Sequence, residues 1–183
     1  MISKVNQNCF QKTYINVAMN SLPDDYPVEL FDFSNENHVS QVREILSKSF
    51  EWYCSDIIGE LKSSNIESGY LLTTRDKVIS CIFVIDVFDS LRNKFALLFS
   101  ASTDPDYRNR GCMTHLYNHF VRKELISKGY SGAVVALQTE SLIKFYRSLN
   151  FEMNKIIPSQ DLKYQMIDSF TSPMNTDLDV ISD

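Results

Sequence analysis

The chain has 183 residues, of which 44% are apolar, 12% aromatic and 22% charged. That composition supports one well-packed core, is marginal for two, and excludes a disordered chain. Net charge is -5, from 18 Lys and Arg against 23 Asp and Glu, which argues against nucleic acid as a partner.

The longest apolar-rich run, Val78–Phe88, is broken by Ser80 and Asp86 and is far too short to cross a bilayer. The opening MISKVNQNCFQK has no hydrophobic signal region, so a cytoplasmic protein with no membrane partner is expected. Cys9, Cys54, Cys81 and Cys112 lie far apart with no C-x-x-C pair, so free thiols are expected rather than disulfides or zinc.

In chain order, residues 1–24 carry no clear period and read as a mobile arm or an added edge element. Tyr26–Phe33 alternates like a strand, and Ser34-Asn35 offers a helix N-cap. Val39, Val42, Ile45, Leu46 and Phe50 then fall on one helical face. A second short helix is predicted over Ser55–Ser63, with Ile57, Ile58 and Leu61 inward. Gly69–Thr74, Val78–Phe88 and Phe95–Thr103 read as three strands whose short connections favour an antiparallel meander. Met113, Leu116, Tyr117, Phe120, Val121 and Leu125 recur at helical spacing, and Gly129 suits the C′ position that ends the helix. Ala133–Leu137 is a short buried strand, parallel to its predecessor because a helix intervenes. Leu142, Phe145, Tyr146 and Leu149 mark another short helix, and Phe151–Ile157 and Leu162–Ile167 read as closing strands. The acidic, Ser/Thr-rich stretch 169–183 reads as a poorly ordered tail. The expected organisation is an extension (1–24), a single mixed α/β domain (25–168) and that tail.

The chemically informative stretch is Ser102–Thr114, a strand end, a polar loop and a helix start. A helix N-terminus exposes unpaired N–H groups and the positive end of the helix dipole. Gly111 lets a bulky anion approach the main chain, and Arg108 and Arg110 add positive charge beside it. These features suit a diphosphate, in coenzyme A or a nucleotide. An ordinary strand-to-helix turn with solvated arginines is the plainer reading of the same residues.

The run Asp104-Pro-Asp-Tyr-Arg-Asn-Arg-Gly-Cys-Met-Thr resembles motif A of the GNAT acyltransferases, Q/R-x-x-G-x-G/A. Arg108 and Gly111 fill its first two positions, and Met113 stands where Gly or Ala is usual, as in an Eis-like branch. Leu142–Phe151 is similar to the family's closing LYxxxGF element, with Tyr146 and Phe151 matching and Asn150 in place of Gly. The resemblance spans roughly residues 26–157 and implies the GNAT fold: a mostly antiparallel twisted α/β (α+β) sheet flanked by helices. It also implies acetyl-CoA as acyl donor and an amine of a small molecule or peptide as acceptor, with no metal; a homodimer stays open.

Carried over residue by residue, the resemblance places Ala101, Ser102 and Thr103 beside the pantetheine arm. Main-chain N–H groups of Asn109, Arg110, Gly111, Cys112, Met113 and Thr114 would cradle the diphosphate. Thr139 stands where many members carry a cofactor-touching Asn. Tyr146 matches the tyrosine near the thioester sulfur. A neutral amine would attack the thioester directly, with a strand N–H stabilising the oxyanion and Tyr146 protonating the leaving thiolate. Tyr146 also shares a face with Leu142 and Leu149, so core packing is the competing reading. Some members place a basic Glu where this chain has Val134; Glu140 lies nearby but suits a helix first turn, and the base stays unassigned.

Other signals are weaker. His115 and His119 stand at i, i+4 without a third metal ligand and read as a solvated face. Cys112 sits where a helix dipole lowers a thiol pKa, and reads as a spacer. Trp52 and Tyr53 read as core or as an aromatic wall. The alternatives to an N-acetyltransferase are a catalytically degenerate acyl-CoA-binding or regulatory module of the same fold and, more remotely, a nucleotide-binding domain. The latter lacks a Walker lysine and G-x-G-x-x-G.

Overall fold

A computed structural model describes residues 26–50, 56–75, 77–156 and 164–170. The expectations for residues 1–24, for Trp52, Tyr53 and Cys54, and for the stretch beyond Phe170 lie outside the described residues.

The described chain runs β1 (Val28–Leu30), α1 (Glu36–Ser49), α2 (Ile57–Ser63), β2 (Ile66–Thr74), β3 (Lys77–Phe88) and β4 (Lys94–Thr103). A helical run follows: α3 (Cys112–His115), a π-turn (Leu116–Val121) and α4 (Arg122–Ser127). Then come β5 (Gly132–Leu137), α5 (Ser141–Ser148), β6 (Glu152–Ile156) and β7 (Tyr164–Ser169). The seven strands form one sheet in the order β1-β2-β3-β4-β5-β7-β6. All neighbours are antiparallel except β4 and β5, which are parallel because a helix carries the chain between them. Ser169, placed in the tail by sequence, instead closes β7 opposite Gly132.

Side-chain alternation divides the core into layers. On one face Val42, Ile45, Leu46 and Leu61 of α1 and α2 pack on Leu71, Cys81 and Phe83. On the other, Leu116, Tyr117, Val121 and Leu125 join Ile143, Tyr146, Leu149 and Phe151 over Leu72, Val84, Val135 and Leu137. Burying a large side chain such as Phe83 or Phe151 contributes roughly 1.5–3 kcal/mol, so both layers hold their helices firmly.

The helix ends follow local chemistry. Asn35 caps α1 by accepting from the N–H groups of Asn37 (3.0 Å) and His38 (3.3 Å). Gly129 and Asn150 both adopt left-handed backbone (φ +76° and +71°) and end α4 and α5 alike. Tyr130 N–H donates to Leu125 carbonyl at 3.0 Å, and Phe151 N–H to Tyr146 carbonyl at 3.1 Å. Each is the long bond of a Schellman motif, so Asn150 does the backbone work of the glycine it replaces.

Two expected faces shift. The π-turn, whose Arg122 N–H reaches back to Tyr117 carbonyl, inserts an extra residue per turn and rotates Phe120 outward, 45% exposed. In α5 the inward residue is Ile143, and Leu142 is 43% exposed.

Candidate active site

Leu97 opposite Val134 is the last pair joining β4 to β5. Beyond it, β4 stays paired to β3 through Thr103, and β5 stays paired to β7 through Leu137. The two parallel strands therefore part while each is held from behind, and a wedge opens in mid-sheet. A bulge contributes. Between Phe99 and Ser102 β4 has one residue more than β3 has between Cys81 and Phe83, and Ser100 takes left-handed backbone (φ +49°). Such a bulge bends its strand, here over the residues that leave β5. Ala101, Ser102 and Thr103 lie on this diverging half. Ser102 is buried with its Oγ unpartnered, whereas Thr103 shares a hydrogen bond with Ser80 (Oγ1···Oγ 2.9 Å).

At the end of β4 the loop is anchored before it reaches Asn109. Asp104, 1% exposed, accepts from the Asp106 N–H at 2.9 Å and pairs with Lys77 Nζ at 3.0 Å. Burial raises the Asp104 pKa, but the Asp106 N–H and the Lys77 ammonium outweigh it and leave the pKa lowered. Tyr107 and Arg108 N–H groups close a short 3-10 turn over Pro105–Tyr107. Cys112 Sγ donates to Tyr107 carbonyl at 3.4 Å from below. Burial pushes that thiol's pKa up, against the lowering expected from the helix dipole, so Cys112 is a structural plug rather than an activated thiol.

Asn109 (φ +60°) and Gly111 (φ +81°) turn the chain into α3. Among the described residues, no backbone carbonyl accepts from the N–H groups of Asn109, Arg110, Gly111, Cys112, Met113 or Thr114, and the Cys112 N–H lies against its own thiol. The first helical bond is donated by His115, to Gly111 carbonyl at 2.8 Å. A Cβ built on Gly111 would meet no atom within 4 Å, so space is open beside the main chain at that residue. The arginines are disposed differently from each other. Arg110 lies over the Tyr107 ring at 5.3 Å, while Arg108 donates from Nε to Thr103 carbonyl and from Nη2 to Ser49 Oγ, both at 3.1 Å.

Tyr146 is 9% exposed and stands edge-on to Phe145 (5.2 Å) and Phe151 (5.3 Å). Its hydroxyl bonds to no described residue, and burial pushes its pKa up to about 12. It belongs to the same layer as Leu137, at the free end of β5. Val134, which stands in place of a carboxylate base, is fully buried. Thr139 is exposed and shares a hydrogen bond with Ser141 (2.9 Å). His115 and His119 rings lie 5.0 Å apart, and no group of three or more His, Cys, Asp or Glu among the described residues is placed to hold a metal ion. A groove of about 350 Å³ between α1 and α2, lined by Phe33, Val39, Arg43, Ile58 and Lys62, shares no residue with the wedge.

Sequence reasoning missed three features: the Ser100 bulge, the buried Asp168 and the Arg108–Ser49 contact. Asp168 accepts from Tyr117 Oη at 2.7 Å and Arg122 Nε at 2.8 Å and so ties the helical run to β7. Asp168 lies one residue past the strand read over Leu162–Ile167, so the sequence carried no signal of its burial.

A mixed sheet split between the only parallel pair among the described strands, with helices on both faces, defines the acyl-CoA N-acyltransferase class of fold. Residues 28–151, more than half of the chain, match the profile of the Acetyltransferase (GNAT) family, and the chain belongs to that family. No curated protein matches it in sequence. Solved structures do. An aminoglycoside 6'-N-acetyltransferase complexed with coenzyme A superposes with TM-score 0.69 at 16% identity, covering 81% of this chain and 99% of that one. The ribosomal-protein-S18-alanine N-acetyltransferase from Escherichia coli gives 0.57 at 20% identity, covering 78% and 90%. Arabidopsis thaliana Naa50, bound to the bisubstrate analogue CoA-Ac-MVNAL, gives 0.60 at 19% identity, covering 78% and 99%. At these identities the likeness is one of fold.

Proposed function

We propose that the protein transfers an acetyl group from acetyl-CoA to an amine of a small molecule or peptide, by direct attack. One observation carries the reading: amides that no described carbonyl takes up stand at the end of the strand that leaves its neighbour to open the sheet. Backbone N–H groups left bare beside open space suit a diphosphate, and the dipole of the helical run from Cys112 to Ser127 adds to the attraction. The coenzyme A in one structural neighbour and the CoA-peptide analogue in another support the same donor.

Bound acetyl-CoA would supply a thioester carbonyl to the amine. The chain's own residues would do the rest. Asn109–Thr114 amides hold the diphosphate. The unpaired edge of β4 over Leu98–Thr103 offers main-chain groups to the pantetheine arm and an N–H to the carbonyl oxygen as charge develops there. Tyr146, kept protonated by burial, hands its proton to the sulfur as it leaves, and the proton shed by the amine nitrogen as the C–N bond forms restores the tyrosine. Holding donor and amine in one wedge contributes much of the acceleration.

A calorimetric titration with coenzyme A and acetyl-CoA, followed by thiol-release assays on aminoglycosides, polyamines and peptides with free N-termini, tests this. Binding with turnover on one amine class is the expected result; no binding at high micromolar cofactor sinks it. The buried Val134 favours a second reading, a cofactor-binding module without catalysis, which would bind acetyl-CoA and acetylate nothing in the panel.

A further inference from the structure

Two side chains of β3 reach the main chain of β4 at the bulge. Ser80 donates from Oγ to Ser102 carbonyl at 2.9 Å and shares a second bond, also 2.9 Å, with Thr103 Oγ1. The Ser80 proton is committed to the carbonyl, so Thr103 is the donor in that second bond. Cys81 donates its thiol to Ser100 carbonyl at 3.9 Å, a weaker contact, and Ser102 N–H lies against the same sulfur. Both β3 residues are fully buried. A bulge disrupts its ladder locally, so these side-chain bonds help to fix peptide planes that the ladder alone leaves loose.

Fixing those planes has a consequence on the other side of β4. No described peptide bond is cis, and in a trans peptide the C=O and the next N–H point in opposite directions. Ser102 carbonyl turned toward β3 therefore sends Thr103 N–H away from it. Ser100 carbonyl does the same for Ala101 N–H, and Ser102 N–H, held at Cys81, does so for Ala101 carbonyl. The side of β4 away from β3 is the one that β5 has left, after the rung between Leu97 and Val134. Ala101 thus offers a donor and an acceptor across the gap, and Thr103 a second donor. Thr103 carbonyl points the same way, since Asp104 N–H bonds Ile79 carbonyl on β3, but Arg108 Nε already occupies it at 3.1 Å. Main chain spaced in this way suits an extended ligand with secondary amides of its own, bound as an added strand would be. The pantetheine arm of an acyl-CoA is such a ligand.

We infer that Ser80 and Cys81 are positioning residues, which hold the Ser102 and Ser100 carbonyls toward β3 and so aim the main chain of Ala101 and Thr103 at the pantetheine amides. The role rests on the reading of the wedge as an acyl-CoA site. Neither side chain reaches the gap; each acts through a β4 carbonyl, and Ser80 acts through the stronger bond.

Calorimetry on the wild type, Ser80→Ala, Ser80→Cys and Cys81→Ala tests it with two probes. One is coenzyme A, and the other is adenosine 3'-phosphate 5'-diphosphate, which keeps the diphosphate and lacks the pantetheine arm. The wild type should bind both. Ser80→Ala should bind coenzyme A about tenfold more weakly, the effect of about one hydrogen bond, and Cys81→Ala about threefold. Ser80→Cys fills the same space with a weaker donor, so it should fold where the alanine variant does not and lose about threefold. The diphosphate fragment should bind all four proteins within about twofold, which a general loosening of the sheet would not allow. Equal losses for the two probes overturn the positioning role, and coenzyme A affinity unmoved in an alanine variant overturns the role of that residue. A wild type that binds neither probe refutes the acyl-CoA reading itself, and the positioning role with it.

Discussion

Leu97 and Val134 face each other across the last rung between β4 and β5, and every later residue of either strand looks onto its neighbour across a gap. Unpaired strand edges are usually a liability, open to other chains. Here the edges are inside the sheet and held from behind by β3 and β7, so they are rigid as well as bare. Rigid, unsatisfied main chain is a preorganised binding surface, because little ordering remains to be done when a ligand arrives.

Gly111 and Gly129 make a matched pair for testing the loop. Both have left-handed φ, and a Cβ added to either meets nothing within 4 Å. Alanine at either position should cost about 1 kcal/mol in backbone strain. Only Gly111→Ala should also weaken coenzyme A binding, by tenfold or so, since its methyl enters the space before the amides. Denaturant melts and calorimetry on the two variants separate strain from obstruction.

Removing the Tyr146 hydroxyl while keeping its ring should leave the Phe145 and Phe151 contacts in place. We expect Tyr146→Phe to lower kcat by about 100-fold or more with KM for acetyl-CoA little changed. Steady-state kinetics on any accepted amine would measure it, and undiminished turnover would leave Tyr146 with packing alone.

The same residue shapes alkaline stability. Burial raises its folded pKa from the model-compound value of 10.0 to about 12. Below the unfolded value both states keep the proton and stability is complete. As pH rises through the folded value the unfolded chain has already released its proton, so stability falls. Tyr146 alone should contribute about 1 kcal/mol of loss between about pH 9 and about pH 11, and Tyr146→Phe should show a correspondingly shallower decline. Urea titrations at the two pH values provide the comparison.

Asp168 is 2% exposed and accepts from both Tyr117 and Arg122. Asp168→Ala would strand a buried hydroxyl and part of a guanidinium, and should destabilise by about 3 kcal/mol. Tyr117→Phe removes one donor and leaves the ion pair, so about 1 kcal/mol is expected. Unequal losses in chemical denaturation would support this ordering; equal ones would count against it.

Asn150 tolerates φ +71° less easily than glycine would. Asn150→Gly should raise stability by about 0.5 kcal/mol without altering the Schellman bonds, which a thermal melt can register.

Element order was legible because alternation and helical spacing follow burial directly. Val78–Phe88 and Ala133–Leu137 fall within one residue of β3 and β5. The loop was legible because Gly111 and the polar run before it mark a turn into a helix. What escaped prediction has no one-dimensional signature. Phe120 looked inward because helical spacing assumes a uniform turn, which the π-turn breaks. The Ser100 bulge and the parting of β4 from β5 are relations between strands, and residues on both sides of Leu97 are equally apolar. Arg108 offered only its charge, and its partner Ser49 is unremarkable in sequence.

The placement of β7 between β5 and β6 bears on how the molecule is made. β5 shares only three rungs with β4, whereas its ladder with β7 runs the full strand. During synthesis the far wall of the cleft must therefore wait for a segment translated well after it. Until Tyr164–Ser169 has been made, β5 has only its three-rung ladder with β4 to hold it in the sheet.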